Sequence, residues 1–237
     1  PARVIGEAKA RLELGRELPE ALGELEGLPG SAEIPPALKG RYALVLGLAQ
    51  SANGKHDDAL RTLTEAQPKY PELASEFAMA LGTAQKAAGQ MAQAQKSFED
   101  ALKKDPRSED AKEGLGRVLL ARSREKELTD RLRPEKDARK VALLRGIAWY
   151  RLGEYKKARS ELQTTQVGGK YPAEAAIYLA LSDAAEEGSG DKAIETLEKF
   201  ANTLKKNRAV VQVALELVTQ FDPSARGGGG FGHSGNG

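Results

Sequence analysis

Apolar and small residues recur at helical spacing over residues 75–108 and predict two short helices joined by a tight turn. Gly82 and Ala94 predict a close approach of the two helices, because larger side chains would push them apart. Gly89 predicts the turn, and Pro106 predicts the end of the second helix. Such a hairpin cannot bury its apolar face alone, so we expect it to stack on similar units.

The same pattern recurs along most of the chain. Glycine occupies one equivalent position in several units, at Gly47, Gly82, Gly116 and Gly146, and Leu181 occupies the next. Steps close to 34 residues are typical of helix-turn-helix repeat arrays. The spacing, together with Phe98, Ala101 and Pro106, resembles the tetratricopeptide repeat. This resemblance implies an all-α fold, a right-handed α-solenoid of tetratricopeptide hairpins.

The pattern predicts four regions along the chain. A degenerate N-terminal hairpin and linker are expected over residues 1–39, a helix over 208–221 and a flexible glycine-rich tail over 222–237. The array is expected over 40–207, with units at about 40–73, 75–108, 109–138, 139–172 and 174–207. Unit 109–138 is short and lacks a small residue in its second helix. We therefore predict a kink or an altered groove around residues 122–138.

Composition excludes several classes of protein. Apolar residues make up 40% of the 237 residues and charged residues 30%, as in a soluble helical protein. The net charge of +2 is too mild to indicate a nucleic-acid partner. No apolar stretch is long enough to predict insertion into a membrane. The sequence of the two units from GEYKKA to GDKA resembles the repeats of bacterial envelope-assembly proteins. We therefore expect the protein to be located in the bacterial cytoplasm or periplasm.

No pattern of catalytic or metal-binding residues stands out. The chain has no cysteine, and its two histidines, His56 and His233, are distant in sequence. The glycines at residues 230–235 form a GxGxxG pattern, but we do not expect the preceding strand and following helix that a dinucleotide site requires. The basic stretch 117–140 is interpreted as an ion-paired surface, with an acidic partner as the alternative. We expect no enzyme activity, no metal and no cofactor.

The resemblance implies that the first helix of each unit lines a concave, partner-binding groove. The residues at those positions are Leu44, Val45, Leu48, Met79, Thr83, Asp110, Glu113, Arg117, Leu143, Leu144, Ile147, Tyr150, Arg151, Tyr178, Leu179 and Ser182. The asparagines of the family's carboxylate clamp are missing, so a chaperone C-terminus is not expected. Apolar and tyrosine side chains favour an apolar or amphipathic protein segment. Alternatively, several of them pack within their own repeats or against the chain's own terminal helix.

The helix predicted at residues 208–221 has an unusually wide apolar surface. Its candidate association residues are Val210, Val211, Leu215 and Val218. It is interpreted either as a capping helix or as a surface for self-association into a homo-oligomer. The sequence as a whole predicts a non-catalytic scaffold that binds a peptide or helix of a partner within a larger assembly. The alternative is a structural subunit that docks through this C-terminal helix.

Overall fold

The computed structural model describes residues 1–28, 34–132, 139–169 and 171–187. The regular elements of these ranges are helices, and the predicted all-α class of helical hairpins is confirmed. The chain forms two compact units, Pro1–Ser123 and Arg124–Gly237. The predicted C-terminal helix, the glycine-rich tail and the second half of unit 174–207 lie outside the described residues. The predicted domain boundaries stay predictions.

Within its described residues, the first unit contains three successive helix pairs followed by one further helix. Its helices are α1 (Ala2–Leu14), α2 (Leu18–Glu26), α3 (Pro36–Ala52), α4 (His56–Ala66), α5 (Ala74–Ala87), α6 (Met91–Lys104) and α7 (Glu109–Ala121). The first helices pack in sequence, α1 on α3, α3 on α5 and α5 on α7. Ser108 caps α7 by accepting a hydrogen bond from the amide of Ala111, which satisfies a donor that the helix leaves unpaired.

The core of the first unit lies between the helix pairs. Phe77, Leu63 and Leu81 are buried there together with alanines that keep the helices close. A second cluster joins the N-terminal hairpin to α3 through Ile5, Leu22, Leu25 and Val45. The N-terminal hairpin is therefore packed against the array.

Glycines on the first helices make room for large side chains from the second helices. A Cβ at Gly82 would lie 3.0 Å from the ring of Phe98, and a Cβ at Gly47 would lie 2.5 Å from Leu63. The ring of Phe98 also meets α7, because a Cβ at Gly114 would lie 2.3 Å from its Cε1. The side chain that fills the space at Gly82 is thus Phe98. Ala94, the predicted neighbour of Gly82, is also fully buried.

Polar contacts repeat with the same period as the glycines. The hydroxyl of Thr62 donates to Gln50 at 2.8 Å, and the hydroxyl of Ser97 donates to Gln85 at 2.7 Å. Each bond joins the two helices of one hairpin. The turn between α5 and α6 contains Gly89 with φ of +76°, a left-handed conformation that glycine adopts without a steric penalty. These features fix the angle and register of the hairpins.

The second unit contains α8 (Glu125–Arg131), α9 (Arg139–Arg151), α10 (Tyr155–Gln163) and α11 (Ala173–Glu187). The glycine motif is present here as well, because a Cβ at Gly146 would lie 2.5 Å from Leu162. The irregular second helix of unit 109–138 is α8, only seven residues long, with Leu128 fully buried. The predicted kink around 122–138 extends into residues 133–138, outside the described residues, and stays a prediction.

A buried arginine holds the short helix α8 in place. The guanidinium of Arg145 donates to the carbonyl oxygens of Thr129 and Leu132 at the end of α8. It also forms an ion pair with Glu161 of α10 at 2.8 Å. Glu161 directly precedes Leu162, as Ser97 directly precedes Phe98 in the α5–α6 hairpin, but Glu161 joins its hairpin through an ion pair instead of a neutral hydrogen bond. A helix of seven residues needs such tertiary contacts, because isolated short helices are unstable.

The contact between Gly114 and Phe98 is testable by adding one methyl group. We expect Gly114→Ala to lower the free energy of unfolding by about 1–2 kcal/mol, because overpacking outweighs alanine's better helix propensity. Gly23→Ala in α2 is the control, since a Cβ there meets no atom within 4 Å. It should leave stability unchanged or raise it. Denaturant unfolding measures both variants, and equal effects would contradict the packing argument.

Candidate functional site

The first helices of the first unit share a surface with two depressions. We call it the first-helix surface. The N-terminal cleft has a volume of about 410 Å³ and lies between α1, α3 and α5. Its lining includes Gly6, Lys9, Arg41, Leu44 and Glu76. The cleft thus combines an apolar wall with charged groups of both signs.

The second depression, the α5–α7 pocket, has a volume of about 280 Å³. Its lining residues are Met79, Thr83, Lys86, Phe98, Asp110, Glu113, Gly114 and Arg117. Phe98 and Gly114 are the pair whose close contact joins α6 to α7. The shape of the pocket therefore depends directly on the glycine packing of the fold.

Charges in the α5–α7 pocket are unequally matched. Arg117 donates from Nε to the carboxylate of Glu113 at 2.9 Å. Lys86 is partly buried, and no described residue forms a hydrogen bond or an ion pair with its ammonium group. Burial lowers the pKa of Lys86, and the neighbouring Arg117 lowers it further, against a smaller opposing effect of Glu113. The Thr83 hydroxyl donates to the carbonyl of Met79 at 3.0 Å, within its own helix.

The predicted groove residues fall into three groups by accessibility. Leu44, Leu48, Met79, Thr83, Arg117, Tyr150 and Tyr178 are partly buried, and Arg151 is exposed. The buried group consists of Val45, Leu143, Leu144, Ile147, Leu179 and Ser182. The hydroxyl of Ser182 donates a hydrogen bond within α11, to the carbonyl of Tyr178 at 2.7 Å. The association residues Val210, Val211, Leu215 and Val218 lie outside the described residues.

Burial separates the two alternatives that the sequence left open. Helices α9 and α11 are first helices, yet most of their predicted groove residues fill the core of the second unit, as self-packing requires. The structure brings Met79, Thr83 and Arg117 into one pocket, and Leu44 with Val45 into the N-terminal cleft. Their part in binding a partner stays a prediction.

Three tyrosines form an aromatic cluster in the second unit. Tyr150 contacts Tyr178 edge to face, with ring centroids 5.4 Å apart, and Tyr155 at 5.8 Å. Burial raises the pKa of Tyr150, and the two neighbouring tyrosines act in the same direction. Arg151 forms an ion pair with Glu125 of α8 at 3.3 Å. Tyr150 and Tyr178 therefore join α9 to α11 as well as offering partly accessible surface.

Within the described residues, no group of histidines and carboxylates has the arrangement of a metal site. None of the described helices combines the length and apolar character that crossing a bilayer requires.

Residues 79–127 match the sequence model of the tetratricopeptide repeat. They include most of α5, all of α6 and α7, and both walls of the α5–α7 pocket. The tetratricopeptide match covers this segment of the chain. The helical hairpins and the glycine contacts of the structure agree with those predicted from the sequence. The cell-envelope subtype stays a prediction. A comparison with curated proteins finds no match.

Solved tetratricopeptide-repeat and related structures share the fold at low sequence identity. PilF from Pseudomonas aeruginosa is 18% identical, with 89% of this chain and 94% of that chain covered and a TM-score of 0.65. YrrB, described as having an unusual peptide-binding site, is 17% identical, with 85% and 98% covered and a TM-score of 0.56. NprR in complex with its cognate peptide NprX is 14% identical, with 94% and 75% covered and a TM-score of 0.56. These likenesses show the fold alone.

Sequence reasoning missed Lys86 and Gly114. Lys86 follows Met79 and Thr83 at helical spacing, so the pattern places all three on one face of α5. This spacing would have been enough to predict Lys86 as a groove residue. The lack of a carboxylate partner and the contact of Gly114 with Phe98 are tertiary facts that the sequence does not contain.

The charge balance at Lys86 gives a prediction about its pKa. Arg117→Gln should raise the pKa of Lys86, because it removes the repelling cation and leaves the attraction of Glu113 unopposed by Arg117. Arg107→Gln is the control, since Arg107 is exposed and does not act on Lys86. NMR titration of the lysine side chains, assigned with Lys86→Met, measures the effect. An unchanged pKa in Arg117→Gln would contradict the stated electrostatics.

Proposed function

We propose that the protein is a non-catalytic scaffold whose first-helix surface binds a peptide segment of a partner protein. The observation that carries the proposal is the pair of depressions along successive first helices, one of about 410 Å³ and one of about 280 Å³. Depressions near this size hold small ligands or side chains of peptides. The partner segment lies along α3, α5 and α7 and places apolar side chains against Leu44 and Met79.

The character of the two depressions favours a peptide over a small metabolite. Their walls mix partly buried apolar side chains with charged ones, and no group among the described residues has the arrangement of a metal site. Recognition of a peptide requires spaced pockets for side chains instead of one enclosed cavity. YrrB and NprR are described with peptides, and both share this fold, which supports the proposal.

The alternative is self-association or docking through the helix predicted at residues 208–221. Its support comes from the sequence alone, since those residues lie outside the described part of the chain. Light scattering on the chain with and without residues 208–237 separates the two functions. A full chain whose mass rises above that of the monomer with concentration, together with a truncated chain that stays at its own monomer mass, would favour the alternative.

Blocking the depressions tests the proposal. Peptides are first selected on the full chain from a random-sequence display library, and their affinities are then measured by fluorescence anisotropy. Thr83→Trp fills the α5–α7 pocket, and Gly6→Trp fills the N-terminal cleft, where a side chain at Gly6 has open space. We expect at least one of them to weaken binding of each selected peptide by about tenfold or more.

The matched control is Gln93→Trp, which adds the same bulk on the exposed face of α6. It should leave the affinity within about twofold, a change well under 1 kcal/mol. Circular dichroism checks that each variant is folded. Failure to select any peptide, or loss of binding in Gln93→Trp alone, would refute the proposed site.

A further inference from the structure

Among the described residues, Lys86 has no hydrogen-bond or ion-pair partner, unlike Arg117 and Lys9 on the same first-helix surface. Arg117 is paired with Glu113 at 2.9 Å, and Lys9 is paired with Glu13 at 3.7 Å. Lys86 lies in the last turn of α5 and has no carboxylate within ion-pair distance among the described residues. Lys86 belongs to the lining of the α5–α7 pocket.

The surroundings of Lys86 make its positive charge costly. Burial removes water from the ammonium group, and Arg117 of α7 repels it more strongly than Glu113 attracts it. Asp110, the other acidic residue of the pocket, is exposed and is not among the charges that act on Lys86. A partly buried charge without a partner gains free energy when an opposite charge arrives.

The pocket has room and apolar contact for such a group. Met79 supplies partly accessible apolar surface, and Gly114, against which the nearly fully buried ring of Phe98 packs, adds no side chain of its own to the lining. The volume of about 280 Å³ exceeds what one carboxylate needs, so the stem of an acidic side chain fits as well. Glu113 is already paired with Arg117, so the proposed ligand carboxylate does not compete with Glu113 for Lys86.

We propose that the α5–α7 pocket binds an aspartate or glutamate side chain of the partner peptide, whose carboxylate accepts a hydrogen bond from the Lys86 ammonium group. The inference rests on the proposed function and adds to it the chemistry of one position in the ligand. The stem of the acidic residue contacts Met79, and the neighbouring residues of the peptide extend over α5 and α7. The Arg117–Glu113 pair stays intact and forms one side of the pocket.

The test uses the full chain and peptides selected on it from the random-sequence library, restricted to those whose binding Thr83→Trp weakens. Each peptide is synthesised again with single Asp→Asn or Glu→Gln exchanges, and once with an amidated C-terminus. We expect one exchange to weaken binding to the wild-type protein about tenfold or more, as for a hydrogen bond to a charged group. Amidation of the C-terminus should have no effect.

Lys86 variants show whether the lost affinity comes from this lysine. The peptide exchange that weakens binding to the wild-type protein should change the affinity for Lys86→Met less than about twofold. The affinity for Lys86→Arg should keep most of its dependence on the acidic side chain of the peptide. Lys96→Met on the exposed face of α6 is the control and should behave like the wild-type protein. If Lys86→Met does not fold, the inference is tested by the effect of the peptide exchanges on affinity for the wild-type protein and for Lys86→Arg.

The outcomes separate this inference from the proposed function. Peptides that bind at the pocket with no dependence on an acidic side chain would overturn the inference and leave the scaffold function standing. An effect of C-terminal amidation in place of side-chain exchange would overturn it too, as would a full acid dependence in Lys86→Met. Absence of any selected peptide would overturn both proposals.

Discussion

The close approach of paired helices at glycine is the constraint on which the structure depends. Leu63, Phe98 and Leu162 each press against a glycine sixteen residues earlier in the chain. A side chain at any of these glycines would collide with the neighbouring helix, so the pairing tolerates little variation. Phe98 contacts glycines of both α5 and α7 and also lines the pocket between them. One packing contact thus shapes both the core and the candidate site.

Much of the fold is readable from the sequence because the packing is periodic. The spacing of Gly47, Gly82 and Gly146 predicts the hairpins, and Gly89 predicts a turn that the structure shows at φ of +76°. The short helix α8 is harder to predict, since its anchor Arg145 lies on another helix and is held in a buried ion pair with Glu161. Nothing in the local pattern indicates that Arg145 reaches the carbonyls of Thr129 and Leu132.

The candidate site is readable only in part. Helical spacing brings Met79, Thr83 and Arg117 to one surface, but it does not show which apolar positions remain accessible. Leu144 and Ile147 satisfy the same spacing and are buried, because α9 packs against both α8 and α10 and against α11. The unmatched charge of Lys86 depends on which carboxylates are already paired. Such pairing is a property of side chains that are distant in sequence.

Amide hydrogen exchange of the full chain, alone and with a selected peptide, tests the central claim most directly. The account predicts the slowest exchange in the free protein near Gly82 and Phe98, where the packing is tightest. With peptide, additional protection should appear on α3, α5 and α7, which form the first-helix surface. Additional protection confined to α4 and α6, or exchange in α5 as fast as at the chain ends, would contradict the account.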